Sequence, residues 1–262
     1  MTSATMTRPV RTADAPSPGA SFPGIPFRRL LRVEWGKATD TRSARWLLAA
    51  VAASTVGLML APMVAPASIE QTYTSYLGFA ALGLAILLPV VSILTLTSEW
   101  SQRTVLTTFT QEPRRTRVVN AKVLVSVLLA GVAAVFGGLV TAAGLAVAAA
   151  SGRELDPNLN TGVLVGYLGF VLLNVLTGVA FGALLHNSAA AVVLYFALPI
   201  GFALLGTAVP SLAEWVDSST TFDWVLNGEW SGHTPQILLS VLVWVAVPVT
   251  AGLVRTVRRE IN

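Results

Sequence analysis

Few residues in this chain could carry chemistry, and almost none lie where its sequence is most apolar. Cysteine is absent, so disulfides, thiolate metal sites and cysteine nucleophiles are excluded together. The apolar stretches hold no Ser/His pair, no Asp pair and no HExxH, the arrangements an intramembrane hydrolase needs. A phosphate-cradling loop, GxxxxGK[ST], would have to use Lys37 or Lys122, the only lysines. Gly36 precedes Lys37, but Leu31 stands where the first glycine belongs. No catalytic, cofactor or metal site is therefore expected from these motifs. What remains is recognition by charge, concentrated in three stretches: RVEWGKATDTRSARWLL near the start, SEWSQRTVLTTFTQEPRRTRVVNAKVLV in the middle, and the polar triplet His186, Asn187 and Ser188.

The elements that hold these stretches are set by composition. Hydrophobic residues make up 54% of the chain and charged residues 11%, well under the roughly 25% charged that a water-soluble surface carries. The apolar residues fall in blocks at 46–66, 76–97, 123–150, 162–185, 189–209 and 235–254, each near the ~20 residues needed to cross a bilayer. The expected fold is an all-α integral membrane protein: a disordered tail over 1–26, an amphipathic elbow helix over 27–45, and six transmembrane helices over 46–262. His186, Asn187 and Ser188 must form a turn, because one helix through both flanking blocks would far exceed the bilayer.

Sixteen of the 17 basic residues fall on one side of this arrangement and only Arg153 on the other. By the positive-inside rule both termini are cytoplasmic, and the rule also accounts for the net charge of +4 without nucleic acid. The arginine and alanine bias reads as a GC-rich bacterial genome, placing the chain in a bacterial cell membrane. The outer side collects Glu70, Glu154, Asp156, Glu214, Asp217, Asp223 and Glu229. The last four, with His233, either form a solvated acidic face or bind a metal or cationic cargo.

Between 27 and 45, Phe27, Leu30, Leu31, Trp35 and Ala38 share one face at helical spacing, and Arg28, Arg29, Arg32 and Gly36 take the other. Such a helix lies in the membrane interface with Trp35 at headgroup depth. Glu34 falls inside the apolar stripe: it either snorkels at the helix edge or pairs with a cytoplasmic residue, Arg103 or Lys122. In the middle stretch Glu99 ends a span, and Val105, Leu106 and Phe109 suggest a short helix that Pro113 stops. Arg114, Arg115, Arg117 and Lys122 then lead into span three, where they could also anchor to anionic lipid headgroups.

The spans contain only mild polarity: Ser92, Thr95, Thr141, Asn174, Thr177 and Tyr195. Asn174 is either an interhelical hydrogen-bonding group or a substrate ligand. Gly162 with Gly166, Gly178 with Gly182, Ala133 with Gly137, and Ala134 with Gly138 are small-xxx-small pairs, serving packing within the bundle or a dimer seam. Pro62, Pro89, Pro199 and Pro248 are placed to kink their helices.

The elbow stretch with Glu34, Trp35 and Lys37, the six spans, and the pattern Glu99, Thr104, PRR at 113–115, Arg117 and Lys122 together resemble the membrane subunits of ABC-2 type (type V) ABC transporters, especially actinobacterial ones. The similarity covers nearly the whole chain after the tail. Where many members have glycine before the threonine, Arg103 stands here. The resemblance implies a permease subunit, in a homodimer or heterodimer of such subunits, driven by a separate nucleotide-binding ATPase that supplies ATP and magnesium chemistry. It implies that the loop after span two forms a coupling helix, and that His186 and Asn187 make a second contact. It further implies a pair of short outer helices within 210–234. Mostly apolar spans fit a hydrophobic or amphipathic substrate, and export is the usual direction among such relatives. A second reading, carried by the same basic loop, is a non-transporting membrane anchor or regulator of a cytoplasmic partner.

Overall fold

A computed structural model describes residues 25–102, 104, 108, 110, 112, 114–156 and 160–258. The tail expected over 1–26 lies almost wholly outside these residues, as do Arg103, Phe109 and Pro113 and most of the short helix expected around them. Among the described residues the chain is helical, with one isolated bridge between Thr72 and Asp156.

In chain order the elements are α1 (Phe27–Thr39), α2 (Arg42–Met59), α3 (Ala61–Val64), α4 (Tyr73–Ser101), α5 (Arg115–Ala150), α6 (Thr161–Leu185), α7 (Ser188–Ala208), α8 (Pro210–Val216), α9 (Ser218–Asn227), α10 (Trp230–Val241), a π-helical turn (Leu242–Ala246) and α11 (Val247–Arg258). Six of the resulting helical stretches are long and apolar enough to cross a membrane: α2 with α3, α4, α5, α6, α7, and α10 with the π turn and α11.

Local chemistry sets the boundaries. The elbow stretch is two helices rather than one, because the Thr41 side chain accepts from the Ala44 N–H at 3.2 Å and starts α2 at Arg42. The first span therefore begins as helix before the apolar block at 46. Pro62 sits in the first turn of α3, just past the break at Leu60 that ends α2.

The sequence expectation placed Arg115, Arg117 and Lys122 in a loop, and the structure corrects this. They lie on α5, whose 36 residues extend about 54 Å, well beyond a hydrocarbon core of about 30 Å. The charged first turns of α5 thus project past the apolar length of the helix. At the other expected turn, His186 takes a left-handed φ of 51° that closes α6, and Asn187 Oδ1 accepts from the Ala190 N–H at 3.0 Å to start α7.

Helices α4 and α6 form the centre of the bundle, and their seam is lined with glycine. A Cβ on Gly178 would stand 2.5 Å from the Pro89 carbonyl oxygen, and one on Gly182 would stand 2.9 Å from the Leu96 Cβ. Gly137 faces Leu84 and the Tyr167 hydroxyl, and Gly166 faces the backbone of α9. These small residues therefore serve close approach within the chain, whereas Gly138 meets nothing. Asn174 is an interhelical hydrogen-bonding group: its Oδ1 accepts from the Tyr195 hydroxyl on α7 at 3.0 Å.

The π turn immediately precedes Pro248, which has no N–H to offer the Trp244 carbonyl; the wider turn absorbs that missing bond. There the Trp244 indole N–H donates to the Val216 carbonyl at 2.7 Å and fixes α8 to the final span.

Candidate functional site

The end of the bundle where the basic residues gather is assembled from α1, the last turns of α4, the first turns of α5, the α6–α7 turn and the end of α11. Both lysines of the chain meet there. Lys122 is 3% exposed and Glu34 1%. The Lys122 ammonium donates to Glu34 Oε2 at 2.8 Å and to the Thr95 carbonyl at 3.0 Å, and lies 3.4 Å from Glu99 Oε1. Lys37 donates to Glu34 Oε1 at 2.7 Å and to Glu99 Oε1 at 2.8 Å. Two carboxylates and two ammonium groups thus form one ring of charge that is formally neutral.

Each member arrives by helix geometry. Glu34 sits in the apolar stripe of α1, so the packing that buries Leu30 and Ala38 also buries its carboxylate. Glu99 comes from the last turns of α4, and Lys122 from the third turn of α5, beside Val118 and Ala121. Of the alternatives for Glu34, snorkelling is excluded by its burial, and pairing with Lys122 is the arrangement found. A buried pair of this kind is tolerated because both carboxylate oxygens of Glu34 and two donors of Lys122 are satisfied.

Lys37 forms the outer member, with its side chain 42% exposed. Burial pulls its pKa down, but hydrogen bonds and charge attraction from Glu34 and Glu99 outweigh that and hold it above the ordinary 10.5. A raised folded-state value means that its contribution to stability is complete below pH 10.5 and fades as pH rises through the folded value. Melting measured in detergent between about pH 9 and about pH 12 should therefore show an alkaline loss that Lys37→Arg reduces, since a guanidinium stays charged there. Equal alkaline losses in both proteins would count against this role.

The loop is tied to the same knot. Thr108 donates to Glu99 Oε1 at 3.1 Å. Glu112, 3% exposed, pairs with Arg117 at 2.8 Å, and Arg117 also donates to the Ile25 carbonyl ahead of α1. Arg115 donates to the Thr256 carbonyl of α11 at 3.1 Å. Arg114 is exposed and makes no ion pair among the described residues.

The α6–α7 turn is held equally closely. The His186 ring is buried, 2.8 Å from the Thr256 hydroxyl and 4.3 Å, centroid to centroid, from the Trp100 ring. Ser188 lies 2.7 Å from both the Thr97 and Ser101 hydroxyls of α4. Trp35 is partly buried and packs on the main apolar cluster with Leu31 and Leu47. A cavity of about 1000 Å³ opens beside the ring, between α1, the start of α2 and the end of α4, and Thr104 is among its lining residues.

Glu34, Lys37, Glu99 and Lys122 are thus brought into one network. Arg115, Arg117 and His186 hold its surroundings, Asn187 serves as a helix cap, and Arg114 stands outside. Sequence reasoning missed that Lys37 reaches Glu99 and that Glu112 is buried; the position of Glu99 and Lys122 at the very edges of apolar blocks was the available signal. At the opposite end, Asp217 is spent capping α9 through Ser219 and Thr220. Arg153 there bonds the Pro62 and Met63 carbonyls. Burial and the neighbouring Glu229 raise the Asp223 carboxyl pKa. No protein-family model matches the chain, and a search of curated proteins finds no match.

Proposed function

We propose that the chain is the membrane subunit of an ATP-driven transporter, inserted in a bacterial cell membrane with both termini cytoplasmic and powered by a separate ATPase that docks on its basic end. The observation that carries this reading is the ring of Glu34, Lys37, Glu99 and Lys122, because it joins α1, two spans and the loop after α4 through contacts that strongly resist separation. Force applied to that loop reaches α1 through Glu99 and Lys37, and reaches α5 through Lys122. The α6–α7 turn, clamped to α4 by Ser188 and to α11 by His186, supplies a second rigid bearing surface. In this reading nothing in the ring reacts; its members are mechanical.

Two copies, or one copy with a related subunit, form the transport path, and an amphipathic cargo moves outward. ATP and magnesium belong to the ATPase subunit.

The test is co-expression with an adjacent gene encoding a P-loop ATPase. The two proteins should co-purify, and the ATPase rate should respond to the membrane subunit. Arg114 is the residue to reverse: it is exposed and makes no ion pair among the described residues, whereas Arg115 and Arg117 hold the fold. Arg114→Glu should weaken association on the order of tenfold without altering membrane insertion. A folded subunit that never associates with the ATPase would overturn the proposal.

A further inference from the structure

Helix α2 divides into two faces. Val51, Thr55 and Met59 are buried against the bundle, whereas Ala49, Ala53, Val56 and Leu60 are exposed and recur at the spacing of one outward stripe. The stripe begins with Arg42, Arg45 and Trp46, all exposed, the tryptophan by 77%. At 3.6 residues per turn, these three and the apolar residues beyond them fall within about 100° of one another. The 23 residues of α2 with α3 extend about 34 Å, slightly more than a hydrocarbon core of about 30 Å. Arg42 and Arg45 therefore stand at headgroup depth, Trp46 at the boundary, and the rest of the stripe in the hydrocarbon.

Neither arginine makes an ion pair among the described residues. Glu34 and Glu99 are taken by the two lysines, and Glu112 by Arg117. Asp40, two residues before Arg42, lies back over the last turn of α1. Its Oδ1 accepts from the Thr39 hydroxyl at 3.4 Å, and its Oδ2 stands 3.4 Å from where a Cβ on Gly36 would be. The first turn of α2 contains no acid, so the two guanidinium groups add to the positive end of the helix dipole, an arrangement that a bound anion relieves.

We infer that this stripe binds an anionic phospholipid of the adjacent leaflet, with its phosphate at Arg42 and Arg45, its glycerol region beside Trp46, and an acyl chain along Ala49, Ala53 and Val56. Two guanidinium groups favour a head of net negative charge, because the ammonium of a zwitterionic head would find no carboxylate on the stripe. A free phosphate would satisfy the arginines but leave the apolar length of the stripe unused. A second copy of the chain, related by a twofold axis across the same face, would set arginine against arginine. The inference goes beyond the transport reading and requires only that α2 cross a bilayer.

The test uses purified full-length protein in maltoside micelles with equal amounts of dioleoyl phosphatidylglycerol and dioleoyl phosphatidylethanolamine. Bound lipid is counted by native mass spectrometry, with no ATPase present. The wild-type protein should retain phosphatidylglycerol over phosphatidylethanolamine by roughly tenfold, and excess inorganic phosphate should not displace it. Arg42→Gln combined with Arg45→Gln should bring that preference close to unity. Arg28→Gln combined with Arg32→Gln removes the same charge from exposed positions of α1 that make no ion pair among the described residues, and should keep the preference. Equal retention of the two lipids by the wild-type protein would mean annular lipid only, and equal loss in both paired variants would mean diffuse attraction to surface charge. Displacement by phosphate would mean a site for the free anion, and a lipid-free dimer would mean that a second copy covers the stripe. Any of these four results would overturn the inference. Because no ATPase is used, the outcome is independent of whether an ATPase partner is found.

Discussion

Replacing Lys122 with methionine is expected to destabilise the protein by about 3–5 kcal/mol, the usual consequence of removing one partner from a buried ion pair. The side chains are close in volume, so the effect is electrostatic. Glu34, 1% exposed, would keep only Lys37 as a partner among the described residues, and the Thr95 carbonyl would lose the hydrogen bond that Lys122 donates at 3.0 Å. Two carboxylates would then share a single ammonium group, that of the half-exposed Lys37. The measurement is thermal unfolding in detergent together with the yield of monodisperse protein. The double variant Glu34→Gln with Lys122→Met restores formal neutrality, leaving Lys37 with Glu99, and should recover most of the loss. A single variant that melts with the wild-type protein would show that the ring contributes no stability, and the force-transmitting role built on it would fall.

The second large effect is expected at the α4–α6 seam. Gly178→Ala places a Cβ 2.5 Å from the Pro89 carbonyl oxygen and 3.1 Å from the Pro89 Cα, and backbone atoms cannot rotate out of the way. Overpacking of a tight interior costs about 1–3 kcal/mol, and the larger valine should prevent the two helices from closing. Gly138→Ala is the matched control, since nothing lies within 4 Å of its would-be Cβ and alanine favours helix over glycine. The clash lies within one chain, so Gly178→Ala should lower the melting temperature of the purified subunit whatever its oligomeric state. An unchanged melting temperature accompanied by loss of an oligomer would instead place this glycine stripe at a subunit seam.

Part of this was legible in the residues alone because bilayer insertion reads the chain locally. Each apolar block satisfies its own backbone within one helix, so the six candidate spanning helices follow from runs of sequence with little reference to one another. The α6–α7 turn is legible for the same reason: three polar residues interrupt an apolar stretch too long for one crossing. Glu34 also betrayed itself, as a carboxylate inside an apolar stripe that needs a partner.

Helix ends were less legible. The sequence separates apolar from charged residues, and it was natural to end spans where charges begin. A helix, however, continues until its backbone is capped or broken, which is why α5 starts at Arg115 and carries Lys122 inside the bundle. Hydropathy marks where a bilayer would end; hydrogen bonding marks where a helix ends, and the two differ by more than two turns here.

The residues by themselves determined that the chain is helical and apolar in six long stretches. Only the tertiary structure decided which charges neutralise one another. Glu34, Lys37, Glu99 and Lys122 come from three separate helices, and their meeting depends on how α1 lies across α4 and α5. That crossing is set by side-chain packing between distant segments, which no local pattern encodes. The same packing explains why both lysines bond to carboxylates inside the protein: two of the charges that mark the basic end also hold it together.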